Sequence, residues 1–333
     1  MKSLHNLLIV TFSILIFNSC EKVIEFNGEE TKPMIVVNSF VTPDSLIYAQ
    51  ISKSKFFLSN KTGFDYINNA DVSLYINNIF KEKLTFKSDG LYLSNLKPNT
   101  GDTIRFYITA DGLDNVESIS VIPDQPVILS ADTTFKISFT DFQLEGEDTI
   151  GYYQAGELGF RIKFKDESNR PDYYRLTLKK HAVIDAGGGV TYEDQFYMPF
   201  TLEGFENTNT GGGLFDIFGG IIVDSKNQQL ITDDLFNGKE FVLKFTALSS
   251  KRVIKPGYED RFFYSSDNVV SEEYIVNLQG ISKDMYLYLK SKEMSDGIMD
   301  GFFTEPVQIY NNISKGIGIL GSYTSNRVAF KTR

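Results

Sequence analysis

Two histidines and one cysteine limit the chemistry open to this chain. His5 lies in an N-terminal apolar segment, which leaves His181 as the only histidine of the mature protein. A two-histidine metal centre is thereby excluded, and any Ser-His-Asp arrangement would have to pass through that one residue. His181 follows Lys179 and Lys180 with no carboxylate beside it in sequence. Such a setting lowers an imidazole pKa and reads as an exposed strand end, not a catalytic base. The single Cys20 excludes a disulfide framework and a thiolate zinc site. Gly316-Ile317-Gly318-Ile319-Leu320-Gly321 spells G-x-G-x-x-G, but no helical periodicity follows it before the chain ends. A dinucleotide site needs a helix there, so the glycines read as a β-bulge or tight turn. The phosphate-loop pattern G-x-x-x-x-G-K-[ST] does not occur.

Carboxylates remain the abundant reactive type, with 43 Asp+Glu against 33 Lys+Arg and a formal charge of −10. That balance excludes nucleic acid, whose binders need basic surface to displace counterions. A carboxylate pair would suffice for glycoside hydrolysis. Asp141, Glu145, Glu147 and Asp148 read as one loop cluster, Asp233-Asp234 as another, and Asp296 with Asp300 as a third. None has the spacing of a calcium-binding EF-hand loop. Solvated loops are the plain reading, and an opportunistic Ca²⁺ site in the first cluster the sharper one. No catalytic residue, metal ligand or cofactor is assigned.

The elements that would carry these groups begin with an export signal. Lys2 precedes the uncharged run Leu7–Phe17, too short to span a bilayer at the roughly 20 residues required but of signal-core length. Phe17-Asn18-Ser19-Cys20 resembles a bacterial lipobox, at which the cysteine is acylated and becomes the mature N-terminus. Residues 1–19 are therefore expected to be a lipoprotein signal peptide, Cys20 the lipidation site, and residues 20–32 a polar tether. Several acyl chains, at about 0.8 kcal/mol per buried CH₂, give a stable anchor.

From Pro33 onward the periodicity is that of β-structure, helped by 28 Phe and 18 Tyr. Val72, Leu74 and Ile76 alternate, as do Ile104, Phe106 and Ile108, and Asp89-Gly90 is a hairpin signal. About seven short strands over residues 33–122 predict an immunoglobulin-like β-sandwich without its cysteines or tryptophan. Pro123-Asp124-Gln125-Pro126 marks a boundary, and residues 127–333 are expected to form a second β-rich domain. Phe160, Ile162 and Phe164 alternate there, as do Tyr274, Val276 and Leu278. One short α-helix is predicted, with Ser282 as N-cap, Asp284 in its first turn, Gly297 past its end, and a core-facing stripe of Met285, Tyr286 and Leu289.

Leu214–Val223 is an apolar run leaving a Gly/Asn-rich stretch. It reads either as a buried strand or as a loop tip whose Leu214, Phe215, Ile217 and Phe218 insert into a partner. Asp44-Ser45-Leu46, Asp102-Thr103-Ile104, Asp132-Thr133-Thr134 and Asp148-Thr149-Ile150 resemble the O-glycosylation sequon of exported Bacteroidota proteins. Ser45, Thr103, Thr133 and Thr149 are the acceptors this implies, all expected at turns or loop edges.

Several segments together resemble an uncharacterised family of Bacteroidota outer-membrane lipoproteins, classed as a domain of unknown function. They include Cys20-Glu21-Lys22-Val23-Ile24, Met34-Ile35-Val36-Val37-Asn38, Asp172-Tyr173-Tyr174-Arg175-Leu176, Asp233-Asp234-Leu235-Phe236-Asn237-Gly238-Lys239 and Tyr310-Asn311-Asn312-Ile313-Ser314-Lys315-Gly316. The first domain is also similar to the carboxypeptidase-regulatory type of β-sandwich. The resemblance implies association with TonB-dependent receptors and supplies no catalytic residues. The expectation is a lipid-anchored outer-membrane binding or accessory protein, companion of such a receptor in nutrient capture, and not an enzyme. The rivals are a carboxylate-dependent glycan hydrolase and an adhesin or spacer lipoprotein.

Overall fold

The computed structural model describes residues 32–56, 62–166, 170–187, 190–203, 227–254, 268–298 and 308–331. Cys20 and the run Leu214–Val223, with Leu214, Phe215, Ile217 and Phe218, lie outside the described residues, as does Asp300. The fold is mainly β with one short helix, as the alternation predicts.

Nine strands fill the N-terminal region: β1 (Ile35–Val41), β2 (Tyr48–Lys53), β3 (Asp65–Tyr66), β4 (Asp71–Ile76), β5 (Ile79–Lys83), β6 (Thr85–Ser88), β7 (Leu91–Leu93), β8 (Thr103–Thr109) and β9 (Val116–Val121). The C-terminal region holds β10 (Val127–Glu145), β11 (Asp148–Lys165), β12 (Tyr173–Gly187), β13 (Val190–Tyr197), β14 (Thr201–Leu202), β15 (Gln228–Thr232), β16 (Glu240–Ile254), β17 (Asn268–Ile281), the helix α1 (Lys283–Ile298) and β18 (Ile317–Lys331). Asp89 and Gly90 both take positive φ, 46° and 69°, the left-handed pair that a two-residue hairpin loop requires.

These strands build three sheets. One ten-stranded sheet runs β13-β12-β17-β18-β1-β2-β7-β6, with β15 on β12 and β3 on β2. Two four-stranded sheets, β5-β4-β8-β9 and β10-β11-β16-β14, complete the set. Two cores result. The first gathers Ile35, Val37, Ile51, Val72, Leu74, Ile104 and Phe106, together with Ile313 and Leu320 from the C-terminal segment. The second joins Phe160, Ile162, Phe164 and Phe245 to Leu176, Leu178, Tyr274, Val276 and Leu278. Because strand side chains alternate, the residues between these core positions emerge on the opposite face of the long sheet.

The long sheet is continuous because β18 lies between the two halves. It pairs in parallel with β1, from Val36↔Ile317 to Val41↔Ser322, and antiparallel with β17, from Glu273↔Lys331 to Ile281↔Tyr323. Residues 33–122 thus share their sandwich with a strand from the chain's far end. The linker is held to that same strand: Thr324 Oγ1 donates to Asp124 O (2.9 Å), Gln125 Nε2 to Ser325 O (2.7 Å) and Asn326 Nδ2 to Pro126 O (2.9 Å).

The glycines of the G-x-G-x-x-G spelling belong to this strand. Gly318 has φ +117°, and a Cβ there would stand 2.0 Å from Val37 O, so only glycine allows β1 to approach. At Gly321 the missing Cβ leaves room for Met285 of α1 and the Phe40 ring, each of which it would meet at 3.1 Å. Ser282 caps α1: its Oγ accepts from Met285 N at 3.3 Å and from Ser322 N at 3.2 Å, tying the helix start to β18.

Candidate functional site

The exposed face of the long sheet, beside α1, holds a cleft of about 680 Å³. Its floor is made of the alternate residues whose neighbours form the cores: Phe40 and Tyr48 from β1 and β2, Arg175 and Lys179 from β12, Ile275, Asn277 and Gln279 from β17, and Tyr323 and Arg327 from β18. Tyr197 and Gln195 of β13 form one wall, and Met285, Tyr288, Leu289 and Lys292 of α1 the other. The helix stripe therefore does two jobs, since Met285 is buried on β18 while Leu289 faces the cleft.

Four cations line this space, and no carboxylate does. In a chain of net charge −10 that is a marked local inversion. Among the described residues, none of Arg175, Lys179, Lys292 and Arg327 forms a salt bridge. Lys180, one residue on and facing the other side of the sheet, is by contrast paired with Glu272 at 2.6 Å. Arg175 is half-buried and makes its bonds to neutral amides, Nε to Gln228 Oε1 at 2.7 Å and Nη1 to Gln279 Oε1 at 3.3 Å. Burial lowers its pKa, yet a guanidinium stays protonated, so its charge sits at the cleft base without a direct counter-ion. Lys179 Nζ lies 4.6 Å from the Tyr197 ring centroid, a cation–π contact that holds the ammonium without neutralising it. Burial raises the pKa of Tyr48 and of Tyr323, so both phenols remain hydrogen-bond donors. Asn277 Oδ1 is buried at the floor with no hydrogen-bond partner. The lining thus offers donors, rings and positive charge, a combination that suits an anionic group on a ring-bearing or apolar body.

A second cleft, of about 580 Å³, opens beside the linker and is lined by Pro123, Asp124, Pro126, Asp166, Arg170, Asp172 and Tyr174 among others. Two of its lining residues, Asp166 and Asp172, form with Asp233 the one group of three potential metal-ligating side chains among the described residues.

The residues singled out from sequence are placed as follows. Ser45 is exposed in the turn after β1, and Thr103 is the half-buried first residue of β8. Thr149 is exposed near the start of β11. Thr133 lies within β10, opposite Phe160, where its Oγ1 donates to Gly159 O at 3.0 Å, and not at a loop edge. Asp141, Glu145, Glu147 and Asp148 do not share one loop, because β10 and β11 run on as a long hairpin through them and turn only at Gly146. His181 corrects its expectation. It sits within β12 between two strands that bring carboxylates to it, Glu273 at 3.0 Å and Glu193 at 3.5 Å. The Glu273 hydrogen bond raises its pKa against the opposing effect of desolvation, with Glu193 adding to the rise. Neither cleft was found from sequence. Arg175 and Arg327 stand 152 positions apart, and only the β12-β17-β18 pairing brings them together.

Fold and site together define a mainly β, two-core protein with a cationic cleft of ligand size among the described residues. The chain belongs to the family described as domain of unknown function DUF4249, whose model matches residues 21–328. Among curated proteins nothing matches. A solved structure described as a candidate membrane-anchored protein from Corynebacterium diphtheriae is similar at 9% identity, with a TM-score of 0.20. The match covers 76% of this chain and 55% of that one, so the chain spans about half the length of that structure. Among the described residues no helix is long and apolar enough to cross a membrane.

Proposed function

We propose that this is a lipid-anchored outer-membrane binding protein that captures an anionic ligand in the cleft beside α1 and serves a TonB-dependent receptor, without chemistry of its own. The observation that carries this reading is the cleft lining: four cations and several tyrosines with no carboxylate among them. Membrane attachment through Cys20 rests on the lipobox-like sequence, and the receptor rests on the family resemblance. A long exposed edge supports a protein partner. Along β10, which among the described residues has a neighbouring strand on one side only, Val127, Leu129, Phe135, Ile137, Phe139, Phe142 and Leu144 are all exposed. Edge strands of that length and apolarity are normally blunted by charge or covered.

The test is calorimetric titration of the protein with oligouronates, with short peptides bearing a free C-terminal carboxylate, and with their neutral counterparts. Acidic members should bind, and Arg175→Gln should weaken them about ten- to hundred-fold, the value of one charge-assisted hydrogen bond. Binding of neutral and acidic members alike, or binding indifferent to Arg175→Gln, would remove the basis of this reading.

A further inference from the structure

We propose that Asp166, Asp172 and Asp233 form a calcium-binding site at the cleft beside the linker. The three residues come from three strand ends. Asp166 follows β11, Asp172 precedes β12 and Asp233 follows β15. Backbone bonds fix their approach: Asp233 N donates to Asp172 O at 3.2 Å, and Asp166 N to Lys239 O at 3.1 Å. Each residue contributes a carboxylate oxygen, and these oxygens lie within 4.8 Å of one another.

Clustering alone would not identify a site; the state of the individual oxygens does. Asp166 is 1% exposed and both its oxygens accept hydrogen bonds, one from the Tyr174 hydroxyl and one from Gly238 N. Both oxygens of Asp166 are thus satisfied and its side chain is fixed in place. Asp233 is also 1% exposed, yet its Oδ2 has no hydrogen-bond partner at all. An unpartnered buried carboxylate oxygen beside a fixed carboxylate is among the costliest arrangements in a protein interior. Arg170 pairs with Asp172 at 3.4 Å and with Asp124 on the cleft wall, while Asp233 Oδ2 accepts no hydrogen bond. Asp166 and Asp172 line the cleft, which gives an ion and its waters a path in to the unpartnered Asp233 oxygen.

The donor set favours calcium over magnesium: Ca²⁺ gathers several carboxylate oxygens in a flexible shell, whereas Mg²⁺ keeps most of its waters and is usually held by one or two carboxylates.

The competing occupant is a proton shared within the cluster, and the experiment separates the two. The full chain, stripped with a chelator, is titrated with CaCl₂ by calorimetry and melted with and without the ion. One Ca²⁺ per chain should bind, and the Tm should rise by roughly 5 °C at about a hundred-fold excess over Kd. Asp233→Asn should lower Ca²⁺ affinity at least ten-fold. Asp172→Asn, at a half-buried position, provides the same reading should the first variant fold poorly. Asp148→Asn, at the distant hairpin tip, should leave affinity unchanged. Absence of saturable Ca²⁺ binding, or binding that survives both cluster variants or is lost with Asp148→Asn, would overturn the site in favour of the proton or of a non-specific ion.

Discussion

His181 shows how a single side chain takes its character from strands remote in sequence. Glu273 faces it directly across β17, and Glu193 lies diagonally across on β13. The Glu273 hydrogen bond is the main cause of its raised pKa, with Glu193 adding to it. A histidine whose folded pKa lies above its unfolded value of about 6.5 binds protons more tightly in the native state. Its contribution is therefore fully present below that unfolded pKa and disappears as pH rises through the folded pKa. Melting temperature should fall over that window in the native protein, and the step should vanish in His181→Gln, which keeps one hydrogen bond to Glu273 but cannot titrate. Identical Tm-against-pH curves for the two proteins would show that the pair is screened by water. Sequence could not supply this. The lysines at 179 and 180 are visible neighbours, but Lys179 leans on Tyr197 and Lys180 pairs with Glu272, so neither presses on the imidazole. The residues nearest in sequence were the wrong ones to consult.

At the scale of elements, β18 carries the most constraint per residue. The alternation of Val72, Leu74 and Ile76, of Phe160, Ile162 and Phe164, and of Tyr274, Val276 and Leu278 was legible because period-2 burial is a local property. The helix start at Ser282 was legible for the same reason. The role of Gly318 was not, because the atom that forbids a side chain there, Val37 O, belongs to a strand 281 residues earlier. Asn312 is similar. β17 ends at Ile281, opposite Tyr323, and beyond that point the Asn312 side chain continues the ladder, with Leu320 N donating to its Oδ1 and its Nδ2 donating to Leu320 O, each at 2.9 Å. Gly318→Ala should cost at least about 2–3 kcal/mol, combining a strained φ with a clash against rigid backbone. Gly101→Ala, whose φ of +83° is comparable but whose Cβ would meet open space, should cost less. Denaturant titrations giving equal losses at the two glycines would mean that the β1–β18 contact yields easily and does not hold the sheet.

The whole molecule is two cores joined through one strand, and that arrangement makes its stability less divisible than its sequence suggests. Pro123 and Pro126 lie between β9 and β10. Yet β18 crosses back over that passage, placing Leu320 in the first core, packing Phe330 against the second, and holding the linker through Thr324 and Asn326. No residue pattern announces a parallel pairing between the first and last strands, since parallel partners need only a long connection and carry no turn signal. Removing residues 317–333 would expose one edge of β1 and one of β17 at once. It would also strip Leu320 from a packed interior, a loss of about 2–5 kcal/mol for a large aliphatic side chain even before the ladder bonds are counted. A chain ending at Gly316 should therefore lose cooperative unfolding in both halves, the N-terminal sandwich included. Hydrogen exchange by mass spectrometry checks this, because the backbone amides of β4 and β8 in the shorter chain should exchange far faster than in the full one. Retained protection across β4 and β8, with loss confined to β12 and β17, would instead mark residues 33–122 as a domain that stands without its borrowed strand.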